Sequence, residues 1–189
     1  MNINAIVLLA EGFEEVEAVT PADYLRRAGF TVTIAAIGSS LAVKGARGIT
    51  VHADITLQEL IQQGKASAAE WDALIIPGGM PGAANIGASK DAEALITGMA
   101  AAGKYVCAIC AAPAVVLAPL GILKGKKFTC YPGMEGKVQG SIWSDDSVVI
   151  DKNIITSRAA GTAGAFAVAI IGQILGETER DRISQTVLL

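Results

Sequence analysis

Histidine, cysteine and clustered positive charge are scarce in this sequence, and each shortage removes a class of function. There is one histidine, His52, and there are three cysteines, at 107, 110 and 130, in 189 residues. Structural zinc sites draw four close ligands mainly from Cys and His, so no metal is expected. Fifteen Lys+Arg against eighteen Asp+Glu leave a net charge of −3, with no basic cluster. A partner that reads phosphate needs a positive face, so no nucleic acid is expected. Charged residues make up only 17% against 52% hydrophobic, the reverse of a disordered chain. An odd, small cysteine count cannot build a disulfide framework and points to a reducing compartment.

Uncharged runs occur at 105–123 and 159–176, near the ~20 residues of a membrane-spanning helix. The first is broken by Pro113, Pro119 and Gly121, and the second is mostly Ala and Gly with few large side chains. Both read as core of an α/β protein, whose buried parallel strands are near-continuous apolar runs, so no membrane partner is expected. The opening string MNINAIVLLAEGFEE has no basic segment and turns acidic at Glu11, unlike a signal peptide. The expectation is a cytoplasmic protein with a single domain over 1–189.

Strand and helix patterns alternate along the chain. Strands are expected at 3–9, 30–37, 71–76, 105–109 and 127–131, with hairpins over 41–52 and 148–157. Helices are expected at 14–28, 57–63, 89–102, 111–117, 162–175 and 177–187, with Gly29 closing the first and Ser89 capping the third. Such alternation implies right-handed βαβ crossovers: a three-layer sandwich with a mainly parallel sheet and helices on both faces. Sites in such sheets form beyond the carboxyl ends of the strands, here just after Leu9, Ile76, Ile109, Cys130 and Ser157.

Cys110 falls where a buried strand turns into a helix, as the serine does in a nucleophile elbow. A helix N-terminus aimed at the sulfur would favour thiolate over thiol. Cys107 and Cys110 form C-x-x-C, but Cys107 is placed inside the strand. Residues three apart in a strand are ~10 Å apart and face opposite sides, too far for a disulfide, so Cys107 reads as core. Glu11, Glu14, Glu15 and Glu17 crowd the start of the first helix. Glu14 and Glu15 read as acidic residues complementing the helix N-terminus. Glu17 shares a face with Phe13 and Tyr24, and an inward carboxyl must be protonated or paired. Gly78 and Gly79 end a buried strand after Pro77, where bare backbone N–H groups can approach a ligand as an oxyanion hole does. His52 lies in a hairpin and reads as a packing or interface residue.

Taken together, these strings resemble the DJ-1/ThiJ/PfpI superfamily, specifically its DJ-1-like branch. The strings are IVLLAEGFEEVE over 6–17, RRAG over 26–29, LIIPGG over 74–79, AICAAP over 108–113 and TSRAAGT over 156–162. The resemblance implies a flavodoxin-like sandwich that forms a homodimer. It implies Cys110 as nucleophile, Glu17 as a protonated carboxyl bonded to its sulfur, and an oxyanion site at Gly79 and the N–H of Ala111. Arg47 and Arg27 match basic positions near the dimer interface and pocket. It also implies ready oxidation of Cys110 to a sulfinate. Two departures stand out. Ala111 occupies the position where protease-branch members carry histidine, which removes the general base of a peptidase. Tyr131 stands before Pro132 where DJ-1-like members often have histidine, and tyrosine is a poor base near neutral pH. Ala160 also stands where many relatives have proline. The implied activity is a cofactor-free glyoxalase acting on oxoaldehydes such as methylglyoxal, or removal of early glycation adducts. The alternative is a redox-sensing stress protein or chaperone acting through oxidation of Cys110.

Overall fold

The computed structural model describes residues 3–189. Met1 and Asn2, which open the string read above as no signal peptide, lie outside the described residues. Along the chain run β1 (Asn4–Leu9), α1 (Glu15–Arg27), β2 (Thr31–Ala36), β3 (Ala42–Lys44), β4 (Thr50–His52), β5 (Ile55–Thr56) and α2 (Leu57–Gln62). Then come β6 (Ala73–Ile76), α3 (Gly82–Ala88), α4 (Lys90–Ala101), β7 (Tyr105–Ile109), β8 (Lys127–Phe128), β9 (Ile142–Trp143), β10 (Val148–Asp151) and β11 (Ile154–Ser157). Helices α5 (Ala163–Leu175) and α6 (Glu177–Val187) complete the chain.

Seven strands form one sheet in the order β10-β11-β7-β6-β1-β2-β5. All neighbours pair in parallel except β10 with β11. The strands at its centre are apolar on both faces, and β1, β6 and β7 are buried almost throughout, as a sheet covered on both sides requires. Alternate side chains feed two cores. Ile6, Leu8, Leu74, Ile76, Val106 and Ala108 meet the layer of α2, α3 and α4. Val7, Leu9, Ile75, Cys107 and Ile109 meet α1, α5 and α6. This is the expected α/β flavodoxin-like sandwich. Cys107, wholly buried, belongs to the second core and not to a redox pair with Cys110.

Three expectations need correction. The segment after Cys110 is no ordinary α-helix: Pro113–Leu117 forms a π-helical turn, in which Ala118 N–H donates five residues back to Pro113 O at 3.0 Å. The strand expected over 127–131 stops at Phe128 and pairs with β9 in a separate two-stranded ribbon. Its backbone then bends to serve other partners, with Thr129 N–H bonding the Thr156 hydroxyl and Tyr131 N–H the Cys110 carbonyl. Helix α3 was not expected, because GAANIGA carries two glycines and an asparagine among its alanines and no side-chain cap. The two hairpins, the Ser89 cap on α4 and the left-handed Gly29 after α1 stand as expected.

Candidate active site

The carboxyl ends of β6, β7 and β11 and the turn after β1 converge on one open cleft of ≈ 600 Å³. Cys110 lies at its floor. Its backbone is left-handed, at φ 63°, a conformation that costs a non-glycine residue free energy and recurs at functional sites. Two bonds hold it there: Cys110 N–H donates to Ser157 O at 2.9 Å, and Tyr131 N–H donates to Cys110 O at 2.8 Å. The neighbouring wall at Ala159–Gly161 is tied by Thr162 Oγ1, which lies 2.7 Å from Ser157 Oγ and accepts from Ala159 N–H.

Glu17 sits in the first turn of α1 and is 1% exposed. One of its oxygens, Oε2, accepts from Gly78 N–H at 2.9 Å, and a side-chain hydrogen bond joins the carboxyl to Cys110. Burial lifts its pKa to about 7, against the pull of those two bonds, and the charge of Glu14 adds to the rise. Cys110 moves in the same direction. Burial first, then the Glu17 carboxylate, push its thiol up to about 12, while the N–H groups of Ala111 and Gly79 draw it back down. The expected thiol held low by a helix N-terminus is therefore not what the geometry provides. The turn that follows is a short π-helix, and a carboxylate faces the sulfur.

Gly78 is required where it stands. A Cβ there would meet Cys110 Cβ and Glu17 Oε2, each at 2.7 Å. Gly79 is left-handed, and its Cβ would run into the backbone of Phe13 and Glu14.

Of the residues singled out from sequence, Glu17, Arg47, Gly79, Cys110, Ala111 and Tyr131 all line the cleft, with Gly78 directly beneath. Arg27 does not. It occupies the last turn of α1, ten residues from Glu17 or ~15 Å along the helix at 1.5 Å per residue, and its guanidinium bonds Asp23 at 2.7 Å. His52 is exposed on β4 and contacts Ala53 O, away from the cleft. Cys130 is buried beside the site, its thiol pushed up to about 11 chiefly by burial. Among the described residues no cluster of three or more His, Cys, Asp or Glu could hold a metal, and no helix is long and apolar enough to cross a membrane.

Sequence reading missed Met80, Met134 and Lys137 on the cleft walls. It also misplaced Glu15. That carboxyl is 4% exposed, and its Oε1 accepts from the N–H groups of Arg47 at 2.7 Å and Ile49 at 3.2 Å. Glu15 thereby holds the β3–β4 turn that presents Arg47. Its close fit against Gly45, where any Cβ would collide with the carboxyl, was the one signal in sequence: a glycine in that turn.

Comparison with known proteins identifies the family and the fold. The DJ-1/PfpI family model matches residues 4–173. Protein dj-1beta of Drosophila melanogaster is 36% identical over 191 residues, covering 100% of this chain and 98% of that protein. Protein DJ-1 homolog A of Arabidopsis thaliana is 36% identical over 97% of this chain, which spans 45% of that relative's length. A protein of Pyrococcus abyssi named as a deglycase is 30% identical over 87% of this chain and 95% of its own. Among solved structures, Drosophila melanogaster DJ-1beta superposes with TM-score 0.91 at 36% identity, covering 100% of this chain and 99% of that one. Oxidized Toxoplasma gondii DJ-1 superposes with TM-score 0.92 at 33% identity, covering 98% of each chain. The chain belongs to the DJ-1/PfpI family.

Proposed function

We propose that this protein converts reactive α-oxoaldehydes such as methylglyoxal to 2-hydroxyacids without a cofactor, through Cys110 and Glu17. The observation that carries the proposal is the pair itself: a sulfur on a strained turn, hydrogen-bonded to a buried carboxyl whose pKa is about 7. A base of that strength is matched to proton transfer at neutral pH.

The Cys110 sulfur attacks the aldehyde carbon, and its proton passes to the Glu17 carboxylate. The carbonyl electron pair moves onto oxygen, where the N–H groups of Gly79 and Ala111 stabilise the developing charge. Proton return gives a hemithioacetal. Glu17 then removes the proton from that carbon and delivers one to the neighbouring ketone carbon, while the hemithioacetal hydroxyl proton passes to the ketone oxygen, leaving a thioester of the hydroxyacid. Water cleaves the thioester and restores the Cys110 thiol. One oxoaldehyde and one water become one hydroxyacid, with no external oxidant or reductant. Early adducts of the same aldehydes on protein side chains are a related substrate class, in keeping with the deglycase name of the Pyrococcus abyssi relative. A peptidase is not supported, since no histidine lines the cleft. The test is a single turnover with enzyme in excess. An adduct should appear on the Cys110 peptide and decay as lactate forms; lactate produced with no adduct would refute the proposal.

A second reading has its own support. The Gly79 and Ala111 N–H groups and the Glu17 carboxyl also suit a cysteine sulfinate, and one structural relative is described as oxidized. On this reading Cys110 reduces two peroxides to water and gains two oxygens. A peroxide titration followed by mass spectrometry should then modify Cys110 before Cys107 or Cys130. Equal modification of all three would count against it.

A homodimer is part of the proposal. Val16 and Val19 are exposed on α1, and Ile49 is exposed on the neighbouring β3–β4 turn. These form an apolar face on the helix that also carries Arg27, which suits an isologous interface. Sedimentation at micromolar concentration should show two copies, and a Val16→Asp variant should dissociate.

A further inference from the structure

The cleft is much larger than methylglyoxal. At ≈ 600 Å³ it lies within the roughly 300–1,000 Å³ of sites that hold drug-sized ligands. A three-carbon aldehyde bonded to Cys110 leaves most of it unfilled. The walls around that space are apolar and open. Met80 is 56% exposed and Tyr131 is 48% exposed, and both line the cleft with Cys110. Pro132 and Met134 extend the wall on the Tyr131 side.

Both exposed side chains grow from backbone that is fixed against the reacting sulfur. Met80 follows Gly79, whose N–H reaches Cys110. Tyr131 donates its own N–H to the Cys110 carbonyl. A thioether and a phenol ring lining one cleft favour an aromatic group, through sulfur–ring and ring–ring contacts. The carboxylates of the cleft, Glu14 and Glu17, are only 15% and 1% exposed by side chain and residue respectively, so neither presents a charge to the outer space. The accessible cations there are Lys137 and Arg47, whose Nε lies 3.9 Å from Glu14 Oε2 while its side chain stays exposed, and a guanidinium also stacks on aromatic faces.

We infer that this cleft selects α-oxoaldehydes bearing an aromatic substituent over methylglyoxal, with Met80 and Tyr131 setting the preference. The inference rests on the proposed thiol chemistry for its turnover, but the recognition it describes is measurable without turnover.

Two readouts separate the claims. The first is kcat/KM for phenylglyoxal against methylglyoxal, taken from initial rates. The second is alkylation of Cys110 by 2-bromoacetophenone against bromoacetone, where sulfur displaces bromide, each rate divided by that with a small free thiol. An apolar pocket discriminates by about tenfold or more per group it fills, so both ratios should exceed about tenfold in favour of the aryl compound. Tyr131→Ala and Met80→Ser, checked for folding by circular dichroism, should bring the ratios toward unity. Tyr131→Phe and Met80→Leu should keep them. Methylglyoxal turnover with no aryl preference in either readout would overturn the inference and leave the proposed reaction standing. Aryl preference in alkylation with no turnover of either aldehyde would sink the reaction and support the inference. A preference undiminished in Tyr131→Ala and Met80→Ser would overturn the assignment of those residues.

Discussion

The backbone N–H of Gly78 donates to Glu17 Oε2 at 2.9 Å, between residues 61 apart in sequence. That bond ties the end of β6 to the first turn of α1 and holds the carboxyl against Cys110. It also leaves no room for a side chain at Gly78.

Replacement of Gly78 by alanine should therefore damage both stability and catalysis. The added Cβ would sit 2.7 Å from Cys110 Cβ and from Glu17 Oε2, and 3.0 Å from Ala111 N. Overpacking of this kind costs about 1–3 kcal/mol. Urea denaturation should show a loss of that order, and thiol alkylation of the folded variant should change in rate. A variant with unchanged stability and thiol reactivity would contradict the packing described.

Glu17 should make the fold less stable as pH rises. Its folded-state pKa is about 7, against 4.5 for the free group. Between those values the native state binds more protons than the unfolded chain, so stability falls with increasing pH. The contribution is complete below about 4.5 and gone above about 7. At ~1.4 kcal/mol per pH unit it amounts to no more than about 3–4 kcal/mol. Denaturation at about pH 5 and about pH 8 should show the decline in wild type. In Glu17→Gln that decline should flatten; an identical slope in the two proteins would contradict it.

The same pair sets the pH dependence of turnover. With Glu17 at about 7 and the Cys110 thiol at about 12, the two share a single proton over the interval between. That one-proton state contains the competent base, wherever the proton resides at a given moment. We expect kcat/KM for an oxoaldehyde to rise through about pH 7 and then level. A rate that fell through about pH 7 would mean that protonated Glu17, with its thiol unionised, is the active form.

Glu15 should matter through the turn it holds. Removing its carboxyl in Glu15→Ala strips the acceptor from Arg47 N–H and Ile49 N–H. Leaving such donors unpaired costs roughly 1–3 kcal/mol. Hydrogen exchange at those two amides should accelerate, and KM should rise more than kcat falls, because Arg47 lines the cleft. Glu15→Gln keeps an acceptor oxygen and should be milder. Unchanged exchange at both amides in Glu15→Ala would contradict this role.

Much of this was legible in the chain because strand and helix periods are strong where burial is strong. The runs that became β1, β6 and β7 are apolar at nearly every position, and a cysteine directly after such a run has few places to go but the sheet's carboxyl edge. What was illegible follows from weak or ambiguous local signals. Helix α3 holds two glycines and an asparagine among its seven residues, and it packs closely against Val115 and Val116. Glu15 looks like Glu14 in sequence, one more acidic residue at a helix start, and only tertiary packing shows that it grips a turn. The thiol was expected low because a helix dipole was expected. Burial and a facing carboxylate, which no local pattern reveals, outweigh it. Arg27 was brought to the pocket by resemblance alone, and helix length carries it away from the cleft.

The most direct test is lactate formation from methylglyoxal in buffer free of amines and thiols, comparing wild type with Cys110→Ser and Glu17→Gln, each verified as folded. The proposed chemistry requires lactate from wild type and losses of about a hundredfold or more in both variants, the scale of nucleophilic and acid–base contributions. Lactate formation that survives Cys110→Ser, or none from folded wild type, would contradict it.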